Sequence, residues 1–213
     1  MTRLVVFDLD GTLVDSSQDL AAALNASLRR VAPATPLLPL SEVRGMIGDG
    51  ARQLVARGLA RAGLGLSPEE VLPVFLEEYG VRLLETTRPY EGVAEALDAL
   101  VPRRLAVLTN KPGDMSRRIL DGLGLGGRFF RVLGGGDLGS KKPDPEGLLL
   151  LLAEAGAAPG EAVLVGDSAV DVRTAHAAGV RAVGVSYGLG PESLRETPPD
   201  LLLDDLRELP AHL

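Results

Sequence analysis

Short apolar runs that stop at a polar or glycine-rich turn, with helical patterns between them, leave this chain few folds to adopt. Arg3–Phe7 is the first such run and halts at Asp8-Leu9-Asp10-Gly11. The pattern returns at Leu105–Leu108 before Thr109-Asn110, at Phe129–Leu133 before glycines, at Ala162–Val165 before Gly166-Asp167, and at Ala182–Val185. Such brief, largely unalternating apolar runs read as strands buried on both faces. Asp114–Leu123, Pro145–Ala155 and Ser168–Ala178 carry helical periodicity between them. Strand and helix in alternation imply a parallel sheet with helices on both sides, so the expected fold class is α/β, doubly wound and Rossmann-like.

One stretch breaks the alternation. From Asp15 to about Arg88 the periodicity is helical and no strand run occurs. Ser16-Ser17-Gln18-Asp19 and Ser67-Pro68-Glu69-Glu70 each offer a capping box, in which a serine hydroxyl and an acid three residues on satisfy each other's backbone N–H groups. Arg88-Pro89-Tyr90-Glu91-Gly92 has the composition of a return turn. The expected division is a catalytic core of residues 1–14 and 89–213 with an inserted all-helical cap of residues 15–88.

Composition narrows the functional classes. With 46% hydrophobic and 24% charged residues the chain has the balance of a folded soluble protein. A net charge of −7 gives nucleic acid or an anionic membrane nothing to hold. Cysteine is absent, which excludes disulfides and thiolate metal sites. The longest apolar stretch, Leu148–Ala153, is far short of the ~20 residues that span a bilayer. Neither a signal peptide nor a membrane segment is expected, and the expected location is the cytoplasm. Lysine stands only at 111, 141 and 142 among 22 basic residues, which draws attention to each of the three.

Working groups in open α/β sheets gather beyond the carboxyl ends of the strands. Asp8 and Asp10 are two apart at one strand end, so in extended geometry both carboxylates leave on one face, and Gly11 then allows a sharp turn. Asp167 ends a later strand and Asp171 falls in the first turn of the following helix. Several carboxylates around one point suit a hard divalent cation, Mg²⁺, which takes a few carboxylates, retained water and substrate phosphate. A phosphate dianion entering such a site needs donors as well. Thr109, the backbone N–H of Asn110 and the ammonium of Lys142 are suited to that task.

Four segments, in order, resemble the motifs of haloacid dehalogenase-type phosphatases. They are Phe7-Asp8-Leu9-Asp10-Gly11-Thr12-Leu13-Val14-Asp15-Ser16, Leu108-Thr109-Asn110, Lys142-Pro143 and Val165-Gly166-Asp167-Ser168 with Asp171. The resemblance implies a Mg²⁺-dependent phosphoric monoester hydrolase acting on a small phosphorylated metabolite. It makes Asp8 the nucleophile that becomes an aspartyl-phosphate and Asp10 the general acid and base. It has the Asp8 carboxylate, the Asp10 carbonyl and Asp167 holding the metal, with Asp171 supporting them from behind. Gly11, Thr109, Asn110 and Lys142 would receive the phosphoryl oxygens. Within the family the chain resembles the phosphoglycolate phosphatases most, through Asp19-Leu20, Thr109-Asn110-Lys111-Pro112 and Gly135-Gly136-Asp137 leading into Lys141-Lys142-Pro143-Asp144-Pro145. β-Phosphoglucomutase-like and sugar phosphate phosphatase members share the core motifs, so these substrates stay open at this point.

Specificity should come from the insertion. Arg44-Gly45-Met46-Ile47-Gly48-Asp49-Gly50-Ala51 is a glycine-rich turn entering a helix. Backbone N–H groups about Gly48 and Gly50, with Arg44 nearby, are candidates to receive a substrate carboxylate. A helix end followed by a helix start explains the same residues. Three other readings are weaker. Gly134–Gly139 fits G-x-G-x-x-G, but Ser140-Lys141-Lys142-Pro143 follows where a dinucleotide site needs a helix. Gly184-Val185-Ser186-Tyr187-Gly188 fits the serine esterase elbow, with Asp204, Asp205 and His212 later, yet Leu189-Gly190-Pro191 prevents an immediate helix. A receiver-like signalling module would share Asp, Thr, Lys and Mg²⁺ but has no use for Asp10.

Overall fold

The structure, a computed structural model, describes residues 1–213. Six strands form one parallel sheet: β1 (Leu4–Phe7), β4 (Arg104–Pro112), β5 (Arg131–Gly135), β6 (Ala162–Gly166), β7 (Arg181–Val185) and β8 (Leu201–Leu203). Their order across the sheet is β5-β4-β1-β6-β7-β8. The chain builds outward from β1 on one side, then crosses back and builds outward on the other. The direction reverses beside β1, and in such sheets that switch point opens a crevice at the strands' carboxyl ends.

Strand side chains alternate between two cores, as a pleated strand requires. Val5 and Phe7 join Leu105, Val107, Val163, Val165 and Val183 on one face. Leu4 and Val6 join Ala106, Leu108, Leu164 and Ala182 on the other. Against the second face pack α7 (Glu146–Ala155), through Leu148, Leu151 and Leu152, and α8 (Ala169–Ala177), through Val172 and Ala175. The first face is covered by α5 (Val93–Ala99), α6 (Gly113–Gly122) and the C-terminal turn at Leu206–His212. The expected doubly wound α/β class is what the chain adopts. The strand at Leu201–Leu203, an apolar run of three residues outside the strands expected from the sequence, extends the far edge and pairs with Val183–Val185. Four short helical residues, α9 (Ser193–Glu196), precede it.

Four helices follow β1 before α5: α1 (Ser17–Val31), α2 (Leu40–Arg44), α3 (Ala51–Arg61) and α4 (Pro68–Gly80). They leave and rejoin the sheet layer through a two-residue antiparallel pair, β2 (Val14–Asp15) with β3 (Arg88–Pro89). Leu20, Leu24, Leu54, Leu59, Phe75 and Tyr79 bury their apolar faces in one cluster that continues to Phe7 beneath the sheet. The capping box at Ser67 forms as expected, with Ser67 and Glu70 each satisfying the other's backbone N–H. The one at Ser16 does not. Ser16 Oγ donates instead to Asp10 Oδ1 at 2.5 Å, and Asp19 turns to accept from the backbone and hydroxyls of Thr86 and Thr87. Both side chains have better partners in tertiary contact than in their own first turn. No helix is long and apolar enough to cross a membrane.

Candidate active site

Register explains why the candidate residues converge. Phe7 lies beside Val107 of β4 and Val165 of β6. The three strands therefore end side by side, delivering Asp8 one residue past this level and Thr109 and Asp167 two residues past it to the switch-point crevice. Gly11, at φ +86°, turns the chain away immediately. A Cβ there would stand 2.2 Å from Asp167 Oδ2, so only glycine lets the two loops approach this closely.

Asp8, Asp167 and Asp171 are buried and offer carboxylate oxygens within 4.8 Å of one another. Lys142, also buried, reaches Asp8 Oδ1 at 2.9 Å and Asp171 Oδ1 at 2.6 Å. Asp171 Oδ2 caps its own helix, accepting from Ser168 N and Oγ. Asp167 Oδ2 accepts the N–H groups of Leu189 and Gly190. Leu9 N and Lys142 occupy Asp8 Oδ1. Those bonds leave Asp8 Oδ2 and Asp167 Oδ1 without protein donors.

The electrostatics are unbalanced. Three carboxylates face one ammonium, so the cluster is two charges short of neutral when all are ionised. Burial pushes the Asp8 carboxyl up to about 6, with Lys142 opposing and Asp171 adding to the rise. Burial, then Asp171 and Asp8, push Asp167 up to about 7. Burial works against the Lys142 charge, but Asp171 and Asp8 outweigh it and hold the amine protonated. A divalent cation fits this environment. The donors are all hard oxygens, they lie within 4.8 Å of one another, and two positive charges restore neutrality.

A second polar cluster lies a few ångströms further along the same cleft. Asp10 takes Lys111 Nζ at 3.0 and 2.9 Å on its two oxygens, besides Ser16 Oγ. Lys111 also donates to Tyr79 Oη at 2.5 Å, from α4 of the helical insertion. Sequence reasoning assigns neither Lys111 nor Tyr79 to the site. The scarcity of lysine points to the first; a tyrosine in the last turn of a helix carries no comparable signal.

The remaining candidates divide. Gly48 and Gly50 line the cleft with Asp8, Asp10, Thr109 and Lys111. A Cβ on Gly50, at φ +90°, would lie 3.1 Å from the Asn110 carbonyl oxygen, so the glycine brings this turn against the strand end. Asn110 Nδ2 donates to Lys142 O at 3.0 Å and faces Gly48 O at 3.4 Å, so its side chain braces two loops. Lys141 Nζ reaches Asp49 O at 2.9 Å from the other side. Arg44 stands apart from the cleft lining, 3.4 Å from Asp15 Oδ2 and 3.3 Å from Ser17 Oγ. The esterase geometry is absent: Ser186 Oγ binds Asp204, while His212 is exposed at the chain end. No helix follows Gly139 until Glu146.

The family model for haloacid dehalogenase-like hydrolases matches residues 2–179. The chain belongs to this family. Among its haloacid dehalogenase relatives, the phosphoglycolate phosphatase of Rhodospirillum rubrum is 41% identical over 220 residues, spanning 98% of this chain and 90% of that protein. The phosphoglycolate phosphatase of Pseudomonas putida is 39% identical over 218 residues, spanning 98% and 79%. A Haemophilus somnus 129pt crystal structure, described as a predicted phosphoglycolate phosphatase, superposes with a TM-score of 0.88 at 34% identity, over 98% of this chain and 96% of that one.

Proposed function

We propose that this hydrolase is a Mg²⁺-dependent phosphomonoesterase working through an aspartyl-phosphate on Asp8, with 2-phosphoglycolate as its preferred substrate. The observation that carries the reading is the convergence of Asp8, Asp10, Thr109, Lys142, Asp167 and Asp171 on one crevice with a cation-sized deficit of positive charge. The substrate rests on relatives about 40% identical that bear the name phosphoglycolate phosphatase. The four-helix segment of residues 15–88 acts as the cap, its Gly48–Gly50 turn closing the cleft against Asn110 and Lys141.

Asp8, Asp167 and the backbone carbonyl of Asp10 would hold the cation, which would supply charge neutralisation at the transferring phosphoryl oxygens. Lys142 holds Asp8 oriented and ionised and meets a phosphoryl oxygen, as does the Thr109 hydroxyl. Asp8 attacks phosphorus; the P–O ester bond breaks and the leaving alkoxide takes a proton from Asp10. Water then attacks the phosphorus of the aspartyl-phosphate, giving its proton to Asp10, and free phosphate and Asp8 are regenerated. Asp171 acts through Lys142, which it fixes at 2.6 Å.

Phosphate release should be followed from 2-phosphoglycolate, glucose 6-phosphate, β-glucose 1-phosphate and p-nitrophenyl phosphate with Mg²⁺. The expected result is a kcat/KM for 2-phosphoglycolate at least ~10-fold above the rest, abolished by EDTA and by Asp8→Asn. Release that survives Asp8→Asn would overturn the nucleophile; equal rates across the panel would overturn the substrate.

A further inference from the structure

We infer that Lys111, oriented by Tyr79, is the residue that selects substrates carrying a second negative charge close to the phosphoryl group, a carboxylate in particular. The inference rests on the phosphatase reading above and assigns its specificity to one pair of side chains.

Away from the Asp8 end, where Lys142 stands, Lys111 is the one cation in the wall of the cleft. The other charged groups there are Asp8 and Asp10, and most of what remains is apolar, including Leu20, Ile47, Leu54 and Phe75. An anionic tail leaving the phosphoryl end meets either hydrocarbon, which cannot compensate a charge, or the Lys111 ammonium. Thr109 and Lys111 are two residues apart on β4 and both line the cleft. Their backbone positions are about 7 Å apart, so a molecule spanning the two is only a few bonds long.

The ammonium is held ready for such a partner. Lys111 is only 5% exposed, and its Nζ lies 3.0 and 2.9 Å from the two oxygens of Asp10. Its Nζ lies 4.4 Å from the centroid of the Tyr79 ring, which stacks on Phe75 at 5.9 Å. Tyr79 Oη accepts from Lys111, and its own hydroxyl proton meets no acceptor in the protein although the residue faces the cleft. A buried phenol without an acceptor is an unused donor. A carboxylate beside Lys111 would receive that proton and the ammonium's charge together. Arg44 does not line the cleft; it stands beside Asp15 and Ser17.

The test compares 2-phosphoglycolate with ethyl phosphate, which has the same carbon count and no carboxylate. Wild-type enzyme, Lys111→Met and Tyr79→Phe are assayed with Mg²⁺, and glycolate and inorganic phosphate are tested as inhibitors of p-nitrophenyl phosphate hydrolysis. Removing the partner of a desolvated charge predicts that Lys111→Met lowers the kcat/KM ratio of 2-phosphoglycolate to ethyl phosphate by about 30-fold or more. Tyr79→Phe lowers it by roughly 3- to 10-fold. Inhibition by glycolate weakens in both variants, while inhibition by phosphate changes less than about 3-fold. Equal losses for the two esters would overturn the inference, leaving Lys111 as a residue that only positions Asp10. If Lys111→Met does not fold, the Tyr79→Phe ratio decides. Wild-type enzyme inactive on every ester would instead refute the phosphatase reading.

Discussion

Asp8 and Asp167 hold their protons to about pH 6 and 7 in the folded chain, against an ordinary value of 3.8. Between pH 4 and 7 the folded state therefore binds more protons than the unfolded one, and stability falls as pH rises through that window. As far as these two groups are concerned, the metal-free protein is less stable at pH 7.5 than at pH 4. A cation that binds the ionised pair reverses the loss. We expect Mg²⁺ to raise the melting temperature over EDTA by several degrees at pH 7.5 and by little at pH 5; an increase of equal size at both would contradict the site. These residues are legible in the sequence, because strand ends, Asp-x-Asp-Gly and Gly-Asp-Ser-x-x-Asp are local patterns. Lys111 is visible there as one of three lysines, all of which fall in or beside the cleft, and as part of the Thr109-Asn110-Lys111-Pro112 run. What it touches is hidden, since Tyr79 is 32 residues away on another element.

At the level of elements, the most exacting joint is between α1 and the residues entering β3. Asp19, buried, accepts five hydrogen bonds from Thr86 and Thr87. Burial disfavours its charge, but those hydroxyls and N–H groups outweigh it and lower its pKa. Asp19→Ala strands the donors and should destabilise the protein by about 3 kcal/mol or more, read as a fall of roughly 6 to 12 °C in melting temperature. A change below about 1 kcal/mol would show that water replaces the carboxylate freely. The expected capping box at Ser16 fails for the same reason that this joint exists: Asp19 is claimed by a partner 67 residues on. Core strands and helices are legible through unbroken apolar runs and helical periodicity. The pair β2–β3 and the strand at Leu201–Leu203 are not, being two or three residues long and defined only by their neighbours.

Across the whole molecule, one apolar cluster joins the sheet's first face to the helical insertion, so the cleft lies between two parts that share a core. The strand-end loops supply the charged groups, and the insertion contributes Tyr79, the Gly48–Gly50 turn and the apolar wall. On the proposed reading, chemistry is set by sheet order and register, while the choice of substrate is set where helix and strand meet. Everything proposed for this crevice depends on Asp8 being the group that receives the phosphoryl. The most direct test is to quench a single turnover of 2-phosphoglycolate with Mg²⁺ in acid, reduce with borohydride and map the peptides by mass spectrometry. Reduction of an aspartyl-phosphate leaves homoserine, which is expected at position 8 alone and only with substrate present. Homoserine at another position, or none under conditions where phosphate is released, would contradict that role for Asp8.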